Sequence, residues 1–145
     1  MPEELMKVVI LGCGRLGAYL ARRLDREGHE ITIVDRNAES FARLGSDFRG
    51  RLVFGTGIDE DILRRAGIET ADAFIAVTNG DNTNAMAAEI AKLVFKVPRV
   101  VARLYDPVRE DTYHTLGLME TVCPTIMGAD KIYDIVMDKN HMKKD

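Results

Sequence analysis

The chain has little of several things, and each shortage closes off a class of function. It holds only two cysteines, Cys13 and Cys123, in 145 residues. They form no CxxC pair and no Cys/His cluster has ligand spacing, so a disulfide scaffold is not expected and no metal site is assigned. Both read as small buried apolar side chains. No apolar run approaches the ~18 residues that a membrane-spanning helix needs. There is no surplus of positive charge either. The formal net charge of −3 argues against nucleic acid, which selects a basic face. The opening stretch MPEELMK is acidic and polar where a secretory signal would be basic and then apolar. A cytoplasmic protein, not itself inserted in the membrane, is therefore expected. No stretch is low in complexity, and 46% hydrophobic with 30% charged residues fits one ordinary globular domain.

What is present is an alternation of apolar runs with amphipathic segments. Strands are expected at Lys7–Leu11, Glu30–Val34, Leu52–Phe54, Ala73–Val77, Arg99–Leu104 and Glu120–Cys123. Helices are expected at Arg15–Glu27, Ala38–Leu44, Glu60–Ala66, Thr83–Lys96, Asp106–Leu116 and Met127–Asp138. In the first helix Leu16, Leu20 and Leu24 repeat at i+4, and Gly28 stops it. Asp59 reads as a cap for the third, Asp81 or Asn82 for the fourth, and Asp106-Pro107 starts the fifth, which Gly117 closes. Strands alternating with helices give a parallel sheet covered on both faces. The expected fold class is α/β: a three-layer, doubly wound, Rossmann-like parallel sheet of order 3-2-1-4-5-6. It occupies residues 1–138 as one domain, with no linker, followed by a polar tail over 139–145.

The most informative local pattern is Gly12-Cys13-Gly14-Arg15-Leu16-Gly17, directly after the first strand and opening the first helix. Gly12 suits a tight turn, Gly14 lets a pyrophosphate approach the main chain, and Gly17 lets the helix pack close to the sheet. The helix N-terminus offers free N–H groups and a partial positive charge to phosphate. Asp35 ends the second strand, where its carboxylate can accept both ribose hydroxyls and would repel a 2′-phosphate, disfavouring NADP. Arg36 is assigned to the adenine face, by stacking. These residues do not separate NAD from ATP, ADP or AMP, which share the adenosine ribose.

No catalytic set accompanies this pattern. His29, His114 and His141 all read as surface residues, and no Ser-His-Asp arrangement, carboxylate pair or metal motif emerges. The residues alone leave three functions open: a nucleotide sensor, an NAD-dependent oxidoreductase whose substrate site lies on a partner chain, or an interaction module that has lost its ligand.

The stretches Val9–Gly17, Thr32–Arg36, Gly55–Gly57, Gly67–Asn84 and Val100–Pro107 resemble the regulator-of-potassium-conductance family, whose nucleotide-binding half is also called the TrkA-N or KTN domain. AGIETADAFIAVTNGDNTNAMAA and VVARLYDP carry most of the likeness, which spans about residues 7–135. The resemblance implies a cytoplasmic regulator, peripheral to the inner face of the membrane, that binds NAD(H), ATP or ADP and biases a potassium transporter or channel. It implies phosphates on Gly12, Cys13, Gly14, Arg15 and Leu16, ribose on Asp35, and Gly55, Thr56 and Gly57 near the adenine. Val77, Thr78 and Asn79 would line the opposite wall, with Arg103 toward the distal phosphate or second nucleoside. It also implies a homodimer or larger ring in which the last helix, carrying Met127, Ile132, Tyr133, Ile135, Val136 and Met137, packs on a neighbour. Three departures stand out. Thr56 replaces the family's usual aspartate, and Pro124-Thr125 replaces a Pro-Glu associated with a divalent ion. The family's C-terminal ligand-binding lobe is not expected within this length.

Overall fold

A computed structural model describes residues 4–138; the expected tail over 139–145, with His141, lies outside the described residues. Six strands form one parallel sheet in the order β3-β2-β1-β4-β5-β6: β1 Lys7–Leu11, β2 Glu30–Asp35, β3 Arg51–Phe54, β4 Ala73–Ala76, β5 Arg99–Arg103 and β6 Glu120–Val122. The helices are α1 Arg15–Arg26, α2 Glu60–Arg65, α3 Asp81–Glu89, α4 Pro107–Leu116 and α5 Pro124–Met137. The doubly wound order read from the sequence is the order observed.

Strand alternation divides the core between the two faces of the sheet. Val8, Ile10, Ile31, Ile33 and Ala73 pack under α1 with Ala18, Ala21 and Leu44. Val9, Leu11, Val34, Phe74 and Ala102 pack on the other face with Leu63 of α2 and Ala87 and Ala88 of α3. Both central strands are thus apolar on both sides, as a covered parallel sheet requires.

Several local expectations change. The leucine stripe of α1 is not its buried face: Gly17, Ala18, Ala21 and Asp25 are buried, while Leu16 is exposed and Leu20 and Leu24 are half-buried. A helix drawn this close to a sheet has room only for small side chains at the contact, so the leucines move to its flanks. Ala38–Leu44 is a tighter 3-10 segment rather than an α-helix. The long helix expected over Thr83–Lys96 starts two residues earlier, at Asp81, and loosens into a π-helical turn at Ile90–Val94. Neither Asp81 nor Asn82 caps it; Gly80 holds that position without a side-chain bond, because the Asp81 carboxylate accepts from the backbone N–H groups of Tyr105 at 2.8 Å and Asp106 at 3.0 Å. The last helix begins at Pro124, three residues before the expected Met127, since proline fits the first helical turn. Other signals hold: Asp59 caps α2 through the N–H of Asp61, and Asp106 caps α4 through that of Val108.

α5 stands apart. None of its residues is buried, and Ile132 and Tyr133 are each 64% exposed. A helix with mostly apolar side chains and no buried residue leaves an apolar surface that its own sheet does not cover. No helix among the described residues is long and apolar enough to cross a membrane.

Candidate functional site

β1 and β4 lie side by side at the centre of the sheet, where the strand order switches from one half to the other, and open α/β sheets take ligands beyond the carboxyl ends of the strands at such points. The glycine turn lies here. Gly12 has φ +113°, and a Cβ on it would come within 2.9 Å of the Thr78 nitrogen and the Val77 carbonyl. A Cβ on Gly17 would lie 1.9 Å from the Gly12 carbonyl oxygen. These two glycines therefore press the turn against β4 and the first turn of α1 against the loop. Gly14 differs: nothing lies within 4 Å of the space a Cβ would fill. It is the N-cap of α1, no side chain caps the helix, and Arg15 and Leu16 are exposed beside it. The turn thus offers an uncapped helix N-terminus with open space in front of it, the form a phosphate-binding turn takes.

Asp35 is half-buried and locks the neighbouring loop. One carboxylate oxygen accepts from the Cys13 N–H at 2.7 Å and the other from the Asn37 N–H at 2.7 Å. Each oxygen keeps a further lone pair, so the carboxylate can still accept from hydroxyls in front of it. Arg36 is exposed on the same rim. Gly55, Thr56 and Gly57 follow β3 on that side; Thr56 is exposed, and the Ile62 and Leu11 side chains fill the space over Gly55 and Gly57.

Cys13 is fully buried and its thiol donates to the Ser40 carbonyl at 3.3 Å. Cys123 is also buried and free. Burial pushes the Cys13 thiol up from 9.0 to about 11; the Asp35 carboxylate adds to the rise and the Arg43 guanidinium opposes it. Arg43 also donates to the Cys13 carbonyl at 3.3 Å, a clasp on the turn that no sequence motif announces.

The opposite wall is built by the ends of β4 and β5. Val77 is buried, Thr78 half-buried and Asn79 exposed. Arg103 is not the exposed strand-end arginine that such a position suggests. It is 8% exposed, donates from Nη2 to the carbonyls of Val77 at 2.9 Å and Thr78 at 2.6 Å, and stacks its guanidinium 4.5 Å from the Tyr105 ring centre. Its Nε is buried without a partner, and among the described residues no carboxylate pairs with it. A buried cation with unspent donors and no carboxylate beside it is a group that an anion can satisfy.

Sequence reading passed over Asn84. It is fully buried, and its side chain makes four bonds. Its Oδ1 accepts from the Thr78 N–H at 2.9 Å and hydroxyl at 2.7 Å, and its Nδ2 donates to the carbonyls of Thr78 at 3.0 Å and Arg103 at 2.8 Å. The signal available was an asparagine set directly before the alanine run of the helix, where a polar residue facing the core needs partners.

His29 is not a surface residue: its Nδ1 accepts from the Met6 N–H at 3.0 Å, and its side chain is 11% exposed. That bond ties it to the chain entering β1, at the amino end of the sheet. His114 is exposed on α4. No group of three or more His, Cys, Asp or Glu among the described residues is arranged to hold a metal. Two cavities, of about 300 and about 240 Å³, lie at the amino ends of the strands around Asp25 and Arg49.

A family model described as the TrkA-N domain matches residues 8–124. The Trk system potassium uptake protein TrkA of Streptomyces coelicolor is 50% identical over 127 residues, covering 88% of this chain and 56% of that protein. Its counterpart in Vibrio alginolyticus is 42% identical over 102 residues, covering 70% of this chain and 22% of that protein. The chain therefore spans about half, or less, of the relatives it matches. Among solved structures, the GsuK channel bound to NAD superposes with a TM-score of 0.78 at 27% identity, over 96% of this chain and 24% of the channel.

Two outcomes test this geometry. Gly17→Ala lowers stability by about 3 kcal/mol or more through overpacking of backbone on backbone, whereas Gly14→Ala changes it by no more than about 0.5 kcal/mol; urea unfolding of the two variants measures both. The fold's preference for a neutral Cys13 thiol is complete below pH 9.0 and is lost as pH rises through about 11. At pH 8 the folded protein therefore resists iodoacetamide at Cys13 while the unfolded chain is alkylated, as read by mass spectrometry.

Proposed function

The chain belongs to the TrkA-N domain family, and from that premise we propose that it is the adenine-nucleotide-sensing part of a regulatory subunit that gates a membrane potassium uptake system. The open, uncapped N-terminus of α1 over Gly14 carries the reading. The relatives named as Trk potassium uptake proteins and the NAD-bound channel of similar fold support the same direction. It acts by binding rather than by chemistry on the nucleotide.

In this reading the backbone of Gly12, Cys13, Gly14, Arg15, Leu16 and Gly17 holds a diphosphate, with the Arg15 guanidinium supplying countercharge. Asp35 accepts the ribose hydroxyls, and its carboxylate repels a 2′-phosphate. Arg36 stacks on the base, beside Gly55, Thr56 and Gly57. Val77, Thr78 and Asn79 form the far wall, and the unspent donors of the Arg103 guanidinium meet a distal phosphate or a second nucleoside. Ligands that share adenosine and differ beyond it then bind two shapes of the assembly unequally, and only such a difference shifts an equilibrium. A coupling of ~1–3 kcal/mol is the usual size.

The assembly is a homodimer, or a ring built from dimers, docked from the cytoplasmic side on an integral-membrane partner. The exposed apolar side chains of α5, with Ile132, Tyr133, Val136 and Met137 each more than half exposed, support a second copy as their cover. That burial is the kind that drives association.

Two measurements decide the reading. A thermal-shift series with NAD, NADH, ATP, ADP and AMP gives stabilisation approaching about 2.7 kcal/mol at 100 times the dissociation constant, with NADP weaker than NAD and the margin narrowed by Asp35→Asn. A flat series, or steady turnover of NADH with small carbonyl compounds, defeats it. Light scattering finds a dimer for the unaltered chain, and Ile132→Asp with Val136→Asp yields monomers whose far-ultraviolet dichroism still shows the sheet.

A further inference from the structure

We propose that Asn84 is the positioning residue that makes Arg103 selective for the distal part of the ligand. The proposal rests on the nucleotide reading above and adds a residue that the glycine turn and Asp35 do not involve.

The geometry is specific. A primary amide has two donor hydrogens and an acceptor oxygen with two lone pairs, and the Asn84 side chain uses both hydrogens and both lone pairs on two strand ends. On β4 it holds the N–H, hydroxyl and carbonyl of Thr78. On β5 it holds the carbonyl of Arg103 itself. The Thr78 carbonyl is thus shared by two donors, Asn84 Nδ2 at 3.0 Å and Arg103 Nη2 at 2.6 Å. Arg103 is therefore fixed at both ends, by Asn84 at its backbone and by a carbonyl that Asn84 orients at its guanidinium. The Tyr105 ring closes one face of that guanidinium. Both of its hydrogen bonds come from Nη2, so Nη1 and the buried Nε remain unspent.

Two consequences follow from how the bonds are spent. Thr78 has its N–H and carbonyl committed and its hydroxyl donated to Asn84, so its place in the wall is to shape it rather than to donate to ligand. The discriminating donor on this wall is Arg103, and its aim depends on an amide that touches no ligand. The α1 side, with Gly14 and Asp35, holds adenosine and the first phosphate independently of Asn84. An altered Asn84 should therefore remove the gain that a second phosphate brings and leave the adenosine part alone.

Asn84→Asp tests this most directly. It keeps the acceptor facing the Thr78 N–H and hydroxyl, but sets a carboxylate oxygen against the carbonyls of Thr78 and Arg103. Asn84→Ser, which removes the donor pair without adding charge, gives the same comparison if the first variant does not fold. Calorimetric titration of the full chain with adenosine, AMP and ADP provides the readout. The expected result is a fall in ADP affinity of about tenfold or more, the range for losing a charged hydrogen bond, with adenosine and AMP changed by less than about threefold. In an Arg103→Met background the Asn84 substitution should add nothing further, because it acts through Arg103. A parallel loss for all three ligands, an unchanged ADP affinity, or additive effects with Arg103→Met would each overturn the assignment while leaving nucleotide binding intact. Failure of the unaltered chain to bind ADP would instead overturn the nucleotide reading and this assignment with it.

Discussion

Two pieces of backbone meet at the head of α1 with no space for a methyl group between them, and the architecture follows from that contact. Because the first turn of the helix rests on the Gly12 carbonyl at Gly17, the helix axis lies close to the sheet, and its first two turns bury only glycine and alanine, with Asp25 buried at the far end. The same contact holds the N-terminal end of the helix at the carboxyl ends of β1 and β4. Bulk is placed elsewhere: in Ile10, Ile31, Ile33 and Leu44 on this face, and in Phe74, Leu63 and Ile68 on the other.

From that point the molecule divides its tasks between the two halves of the sheet. The β1-β2-β3 half presents backbone donors and one carboxylate, Asp35, that braces the turn through the Cys13 N–H. The β4-β5-β6 half presents a buried guanidinium held by carbonyl oxygens and an aromatic ring. In the proposed reading, one half takes groups common to all adenosine compounds and the other takes what distinguishes them. A protein that responds to the kind of nucleotide present needs both; the Gly12 turn lies against Val77 and Thr78 across the two halves, while Asn84 and Asp81 of α3 tie the ends of β4 and β5 to each other within the second half.

Much of this was legible from residue order alone. Strand order came from the alternation of apolar runs with helical segments, and the turn came from three glycines placed between a strand and a helix. The caps at Asp59 and Asp106 were visible because their mechanism is local. What escaped were features set by partners distant in the chain. The leucines of α1 look like a core stripe until the sheet's proximity is known. Asp81 looks like a cap until Tyr105 and Asp106 arrive to claim its carboxylate. His29 looks like a surface residue until the Met6 N–H points at it. Arg103 and Asn84 become informative only when two strand ends are side by side, which spacing along the chain does not reveal.

The π-helical turn at Ile90–Val94 has a mechanical consequence. Here the wider turn ends the helix rather than interrupting it: Phe95 donates to the Ile90 carbonyl five residues back, and no further helical turn intervenes before β5. Ala91 is fully buried within that turn, so the small-residue face begun by Ala87 and Ala88 runs to the end of the helix. The irregularity falls at the end remote from Asn84, whose regular first turn sets the spacing of the two strand ends it bonds.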